Sequence, residues 1–231
     1  MPKNPNTELT WSDDIFKFIE DETKVHTQDL KISKLAGDAS SRLYWRLHFQ
    51  NKNWIIVENE PFESADQFPY INVQKHLLSH EVHVPQIYAA SPKLGILLVE
   101  DFGDNFLEKV TQNITPRQYA KYYFMALDEL FKIHFEASKK NPKCIAFGLA
   151  FDTEKLLWEL NFTKTNLIEK YLHKTPSKFE EGILNSSFLK ICTFLDRETR
   201  YFTHRDYHSR NLMIHEGKMG VLDFQDARMG P

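Results

Sequence analysis

The chain has 231 residues, of which 42% are hydrophobic and 26% charged, and its formal net charge is −3. This composition is ordinary for a soluble globular protein, and the length suits one large domain or two smaller lobes. The near-neutral charge argues against a nucleic-acid partner, and no apolar run approaches the roughly 18 residues of a membrane span. Two cysteines without metal-ligand spacing and a polar N-terminus without a signal-peptide pattern predict a cytoplasmic protein with no membrane partner.

The first hundred residues predict an antiparallel sheet with two helices. An amphipathic pattern over 10–19 predicts the first helix, and a second is predicted over 68–79. Strand-like runs occupy four segments: 30–35, 43–49, 54–57 and 95–100. Residues 51–53 predict a hairpin turn between the second and third runs.

After Gly103 the pattern changes to long helices. They are predicted over 115–137, 152–171 and 178–197, and Pro116 suits the first turn of the earliest one. From 201 to 229 the chain returns to short strands and tight loops. The layout therefore predicts a small β-rich part, a short linker and a helical part that ends in a loop-rich segment.

The most informative stretch is 204–211, which reads His-Arg-Asp-Tyr-His-Ser-Arg-Asn, followed by Asp-Phe at 223–224 after a hydrophobic run. Phosphoryl transfer from ATP needs a carboxylate to orient and deprotonate the attacking hydroxyl and oxygen ligands to hold Mg²⁺. Asp206 suits the first role, and Asn211 and Asp223 suit the second. The intervening apolar residues predict a hairpin that returns Asp223 to Asn211.

Other chemistry fits this stretch less well. His204 and His208 have the i, i+4 spacing of zinc ligands, but a zinc site would need a helix and a third ligand. Here the segment looks like a loop, and no Glu fits the metalloprotease pattern. His204 is better interpreted as a brace for the loop. Tyr207, His208 and Arg210 are candidates to face the acceptor substrate. The sequence contains no Gly-x-Ser-x-Gly elbow, which disfavours a serine hydrolase.

The segment 37–42, Gly-Asp-Ala-Ser-Ser-Arg, lies between two predicted strands. Small residues allow backbone N–H groups to approach phosphates, so a phosphate-covering loop is predicted. Glu100 and Phe102 belong to the predicted linker, where backbone groups would bind adenine. The predicted nucleotide-binding residues are Gly37, Ala39, Ser40, Ser41, Arg42, Arg46, Glu100 and Phe102.

These motifs resemble those of the aminoglycoside phosphotransferase/choline kinase-like superfamily, and most closely the bacterial anomeric N-acetylmuramate/N-acetylglucosamine 1-kinases. Two stretches carry the resemblance, 37–46 and 204–231, where Gln-Asp-Ala at 225–227 replaces the Gly of protein kinases. The resemblance implies an α+β, bilobal protein-kinase-like fold. It also implies ATP and Mg²⁺ as cofactors, an amino sugar as acceptor and a place in cell-wall sugar recycling.

The resemblance also sets the expected domain boundaries. We expect residues 1–100 to form a β-rich nucleotide-binding lobe with an N-terminal helix. Residues 101–104 would be the linker, and 105–231 a helical lobe that carries the catalytic and metal-binding loops.

The sequence departs from the kinase pattern in two respects. The third strand has no Lys and the following helix has no Glu, so Arg42 or Arg46 is predicted to supply positive charge to the phosphates. Pro231 comes eight residues after Asp223, whereas family members usually continue with further helices. The helical lobe is therefore expected to be truncated. Two alternatives stay open. The chain could be a kinase for an aminoglycoside, choline or another small alcohol, or a catalytically inactive nucleotide-binding regulatory module.

Overall fold

The computed structural model of the chain describes residues 11–35 and 42–231. The described residues form two compact units: the segments up to Ile71 and 85–105 make the first, and the segments 72–84 and 106–231 make the second. The first is rich in β-strands and the second is mostly helical. The predicted α+β class is confirmed.

The first unit contains a five-stranded antiparallel sheet in the order β1-β2-β3-β5-β4. Its strands are β1 (Lys31–Lys34), β2 (Leu43–Phe49), β3 (Lys52–Glu58), β4 (Ile87–Ser91) and β5 (Ile96–Glu100). The turn predicted at 51–53 was placed too late, because Lys52 already pairs with Phe49 in the ladder. Gln50 makes the reversal with a left-handed φ of 53°.

Helix α1 (Asp13–Thr23) covers this sheet, and Ile19 of α1 is fully buried in the core of the unit. The indole rings of Trp11 and Trp45 meet edge to face at 5.4 Å. Both indole N–H groups donate to the same carboxylate oxygen of Glu58, at 3.1 and 2.9 Å. These bonds satisfy a carboxylate at the end of β3 and tie the start of α1 to the sheet.

Helix α2 (Pro69–Ser79) begins in the first unit, and the α-helices that follow it belong to the second. These are α3 (Leu107–Val110), α4 (Pro116–Phe131), α5 (Thr153–Thr163) and α6 (Lys178–Asp196). Reciprocal capping boxes begin α4 at Thr115 and α6 at Ser177. Among the described residues, no helix combines the length and the apolar character needed to cross a membrane.

Two predicted helices end differently from expectation. The α-helical geometry stops at Phe131 and Thr163, and the π-helical segments Lys132–Glu136 and Lys164–Tyr171 follow. A π-helical turn contains about one residue more than an α-helical turn. The spacing of apolar residues in the sequence is therefore similar for the two geometries. Sequence periodicity therefore predicted the extent of these helices but not their change of geometry.

Four short strands complete the second unit in two antiparallel pairs. β6 (Tyr201–Thr203) pairs with β9 (Arg228–Gly230), and β7 (Leu212–His215) pairs with β8 (Lys218–Val221). A Cβ at Gly230 would lie 2.9 Å from Cδ2 of Phe151. Glycine at this position therefore lets the backbone of β9 approach Phe151 more closely than any other residue would.

Large apolar side chains are exposed along the helices of the second unit. Trp158 on α5 and Phe179 and Phe194 on α6 are 54%, 77% and 65% exposed. Single exposed apolar residues are ordinary, but many on neighbouring helices are typical of surfaces that pack against further protein.

Candidate active site

The residues predicted to carry phosphoryl transfer lie on two loops of the second unit. The loop 204–211 joins β6 to β7, and Asp223 follows β8. The hairpin register pairs Leu212 with Val221, and the backbone N–H of Leu222 donates to the carbonyl of Asn211 at 2.9 Å. The hairpin predicted from the sequence therefore forms, and it returns the chain to Asn211.

The structure brings Asp206, Asn211 and Asp223 together. Nδ2 of Asn211 donates to the backbone carbonyl of Asp206 at 2.9 Å and lies 3.5 Å from Oδ2 of Asp223. Asn211 is buried, whereas Asp206 is exposed. An exposed carboxylate beside a buried amide suits a group that meets a substrate next to one that holds its position. Their catalytic and metal-binding roles remain predictions.

Two residues of these loops have strained backbone conformations. Arg205 has a φ of 79° and Asp223 a φ of 59°, both in the left-handed region. Residues other than glycine rarely adopt that region, and such outliers cluster at active sites and ligand clamps.

His204 connects the 204–211 loop to the end of the β7–β8 hairpin. Its Nε2 lies 2.8 Å from the carbonyl oxygen of Leu222, and the ring is buried. Burial lowers the pKa of His204, so the ring is neutral at physiological pH and donates through Nε2. The contact agrees with the bracing role predicted for His204 and links the catalytic loop to the residue before Asp223.

Tyr207, a candidate for contact with the acceptor, is held by helix α4. Its hydroxyl donates to the backbone carbonyl of Ala126 on α4 at 2.5 Å. Burial and the nearby Glu129 carboxylate raise the pKa of Tyr207, so the phenol stays protonated. The hydroxyl is thus engaged with α4, whereas His208 and Arg210 are exposed. A substrate contact by any of the three stays a prediction.

Sequence reasoning assigned no role to Gln225, although the structure places it against Asp223. Nε2 of Gln225 donates to Oδ1 of Asp223 at 2.6 Å, and the side chain is buried. The available signal was a polar amide two residues after the Asp, at a position that is Gly in protein kinases.

The predicted nucleotide-binding residues belong to the first unit, and half of them can be located. Gly37, Ala39, Ser40 and Ser41 lie outside the described residues. Arg42 lines a pocket of about 260 Å³ together with Asn59, Glu60, Pro61, Phe62, Phe68, Pro69 and Tyr70. Glu100 exchanges two hydrogen bonds with the backbone of Gln86, and Phe102 is buried.

Arg46 binds the segment that follows β5. Its guanidinium group lies 2.6 Å from Oδ2 of Asp101 and 2.9 Å from Oδ2 of Asp104, and it donates to the carbonyl of Gly103 at 2.8 Å. The sequence predicted a phosphate ligand at Arg46 and missed both acidic partners. The Asp-x-x-Asp pattern at 101–104 was the available signal. These contacts make Arg46 a brace for the predicted linker, and a phosphate contact stays a prediction.

Residues 31–231 match the profile of the phosphotransferase enzyme family. The chain belongs to this family. This phosphotransferase chain is 28% identical over 207 residues to the N-acetylmuramate/N-acetylglucosamine kinase of Neisseria meningitidis, covering 88% of the chain and 59% of that relative. It is 32% identical over 203 residues to the kinase of the same name from Pseudomonas aeruginosa, covering 85% and 55%. The chain therefore spans less than two thirds of the length of these curated relatives.

Solved structures of the family share its fold. The streptomycin–ATP ternary complex of the aminoglycoside phosphotransferase APH(2'')-IIa superposes with a TM-score of 0.68 at 13% identity. The match covers 96% of this phosphotransferase chain and 73% of that structure. The predicted superfamily and its kinase-like fold are confirmed.

The donor set of the second unit fits a magnesium ion. Mg²⁺ takes oxygen ligands and usually combines one or two carboxylates with substrate phosphates. Asp223 offers a carboxylate, and Asn211 directs its N–H groups at Asp206 and Asp223, which leaves the amide oxygen as its possible ligand atom. Within residues 11–35 and 42–231, no cluster of three or more His, Cys, Asp or Glu side chains forms an all-protein metal cage.

Proposed function

We propose that this chain carries the catalytic and metal-binding residues of a kinase that transfers the γ-phosphoryl group of ATP to a small-molecule hydroxyl. The acceptor that we propose is the anomeric 1-hydroxyl of N-acetylmuramic acid or N-acetylglucosamine. One observation carries the proposal: Asp206, Asn211 and Asp223 converge on two adjacent loops. The names of the two curated relatives support the choice of amino sugar.

Asp206 is the group that meets the acceptor. Its exposed carboxylate orients the sugar hydroxyl towards the γ-phosphorus and accepts the hydroxyl proton as the sugar O–P bond forms and the bond from the γ-phosphorus to the bridging oxygen of the leaving ADP breaks. Its backbone carbonyl is fixed by Nδ2 of Asn211, so the loop does not have to reorganise around the nucleophile.

Asn211 and Asp223 hold the metal through their side-chain oxygens. Mg²⁺ supplies positive charge that neutralises the phosphate oxygens of ATP. The hydrogen bonds of Asn211 and Asp223 hold the two side chains in place before the nucleotide arrives. Binding energy is therefore not used to assemble the site.

The proposal is tested by phosphorus NMR of the longest natural form of the protein. The protein is mixed with Mg·ATP and, in separate samples, N-acetylmuramic acid, N-acetylglucosamine, an aminoglycoside and choline. A sugar 1-phosphate signal that Asp206→Asn reduces about 10²–10⁴-fold is expected, because that is the usual contribution of a general base. Asp21→Asn, which changes an exposed aspartate on α1, should leave the signal unchanged.

Each other outcome has a defined meaning. Phosphorylation of an aminoglycoside or choline alone would replace the proposed acceptor. ATP binding without transfer to any acceptor by the folded protein would favour a nucleotide-binding regulatory module.

A further inference from the structure

Gln225 touches the carboxylate that the proposed function makes a metal ligand. Its Nε2 donates to Oδ1 of Asp223 at 2.6 Å and lies 3.5 Å from Oδ2 of Asp226. The side chain is only 5% exposed. The protein therefore buries a neutral amide between two acidic side chains at the edge of the candidate active site.

The chemistry of the pair fixes which end of the amide faces Asp223. A carboxylate only accepts hydrogen bonds, and of the two ends of the glutamine amide only the NH₂ group donates. Oδ1 of Asp223 is thus occupied by Gln225. Oδ2 is the oxygen on the side of Asn211, 3.5 Å from its Nδ2. The two contacts together distinguish the two oxygens of one carboxylate.

Two further observations indicate that this arrangement is functional. Oε1 of Gln225 is buried and has no hydrogen-bond partner among the described protein residues. Asp223 has a left-handed backbone conformation, with a φ of 59°. A buried amide oxygen without a donor and a strained aspartate both oppose folding, and native proteins retain such features mainly where a site requires them.

We propose that Gln225 is a positioning residue for metal binding. It holds Oδ1 of Asp223 so that Oδ2 is presented beside Asn211 to the metal ion of the nucleotide complex. This inference depends on the proposed function. It adds a residue that neither touches the nucleotide nor ligates the metal, and that acts through the orientation of Asp223.

The test measures metal affinity and does not depend on turnover. Binding of Mn²⁺ in the presence of a non-hydrolysable ATP analogue is followed by the electron paramagnetic resonance signal of the free ion. Gln225→Met keeps the length of the side chain and removes the N–H donor. It should weaken Mn²⁺ binding about 10–100-fold, as is typical when a group that orients a metal ligand is lost.

A matched variant separates positioning from stability. Asn72 also uses its amide in two hydrogen bonds within the second unit, to the backbone of Lys143 and Ile145. Asn72→Leu should lower the melting temperature but leave Mn²⁺ affinity unchanged. Equal Mn²⁺ affinity in the wild type and in Gln225→Met would overturn the positioning role and leave the proposed function intact. A wild-type protein that binds no Mn²⁺ with nucleotide, and does not differ from Asp223→Ala, would overturn both.

A measurement on the unaltered protein covers the case in which Gln225→Met does not fold. The side-chain amide protons of Gln225 are assigned by NMR. One of them should be shifted strongly downfield by its bond to Asp223, and both should broaden when Mn²⁺ and nucleotide are added. An amide pair with the shifts of exposed glutamines, insensitive to Mn²⁺, would contradict the proposal.

Discussion

Nδ2 of Asn211 donates a hydrogen bond to the backbone carbonyl of Asp206 at 2.9 Å, and so connects two residues of the 204–211 loop that lie five positions apart. The same nitrogen lies 3.5 Å from Oδ2 of Asp223. One buried amide thus fixes the loop that carries the proposed base and contacts the carboxylate that is proposed to bind metal. The position of the loop depends on the nitrogen of this side chain, whereas the proposed metal binding depends on its oxygen.

Substitutions at Asn211 should separate those two contributions. Asn211→Ala removes the amide oxygen as well as the nitrogen and should weaken Mn²⁺·nucleotide binding at least about 10-fold. Asn211→Asp keeps an oxygen ligand but cannot donate to Asp206. It should keep metal binding, while in the absence of metal the free energy of unfolding falls by more than the roughly 1 kcal/mol of one hydrogen bond, because a buried carboxylate then faces the Asp206 carbonyl and the Asp223 carboxylate. Titration calorimetry and urea unfolding measure the two effects. Equal metal affinities in the two variants would show that the oxygen of Asn211 is not a ligand.

The sequence predicted the core of the candidate site because that part depends on local pairing. Strands β7 and β8 are adjacent in the chain, so their hydrophobic pattern was enough to predict that Asp223 returns to Asn211. The hydrogen bond from Gln225 to Asp223 is also local, but no periodic pattern reports the direction of a single amide. The role of Gln225 therefore required the structure.

Long-range partners could not be predicted in the same way. Arg46 lies 55 residues from Asp101 in the chain, and their contact depends on the strand order of the sheet. The Asp-x-x-Asp pattern at 101–104 is visible in the sequence, but it does not say which cation pairs with it. The sequence therefore indicated that a cation is needed in the first unit. It did not indicate that Asp101 and Asp104 pair with Arg46.

Arg46→Met tests whether Arg46 stabilises the segment after β5. Asp101 is 4% exposed, and removal of the arginine leaves its buried charge with the Gly103 N–H as its one remaining hydrogen-bond donor among the described residues. We expect the free energy of unfolding to fall by about 3 kcal/mol in urea titrations, because breaking a buried ion pair leaves an uncompensated charge. Asp104 is 69% exposed, so Asp104→Asn, the matched control, should cost at most about 1 kcal/mol. Unchanged stability in Arg46→Met with weaker ATP binding would instead support the phosphate contact predicted from the sequence.

Tyr207→Phe distinguishes a structural from a substrate role for the phenol. The variant loses the hydrogen bond from the hydroxyl to the carbonyl of Ala126. Stability should fall by about 1 kcal/mol, while the KM for the acceptor stays the same because the hydroxyl is directed at α4. Tyr201→Phe provides the comparison for loss of a tyrosine hydroxyl elsewhere in the unit. A several-fold rise in the acceptor KM without loss of stability would restore Tyr207 as a substrate contact.

His76 should make stability depend on pH in the mildly acidic range. It is buried on α2, with Nε2 2.8 Å from the carbonyl of Ala137 and Nδ1 3.2 Å from Nδ2 of Asn141. The ring is therefore neutral, with a proton on Nε2, and Nδ1 accepts from the amide. Burial lowers the pKa of His76, and the neighbouring His80 ring, 4.5 Å away, adds to the effect when charged. Protonation of Nδ1 would place its N–H donor against the N–H donor of the Asn141 amide, and the two would repel.

The sign of the effect follows from this lowered pKa. Below the ordinary histidine pKa of about 6.5, the unfolded chain takes up a proton at this residue, whereas the folded chain does not. The contribution of the neutral ring to stability is therefore complete above that pH. It is lost as the pH falls towards the lowered pKa of His76 in the folded state. Within that window each pH unit costs up to about 1.4 kcal/mol per such histidine. His76→Gln retains a donor for Ala137 but cannot be protonated, so its urea midpoint should change less between pH 7 and pH 5. The exposed His26, changed to Gln, should leave the dependence intact. A dependence equally steep in His76→Gln and the wild type would assign it to other groups. His134 and His204 are the candidates, because burial also lowers the pKa of each.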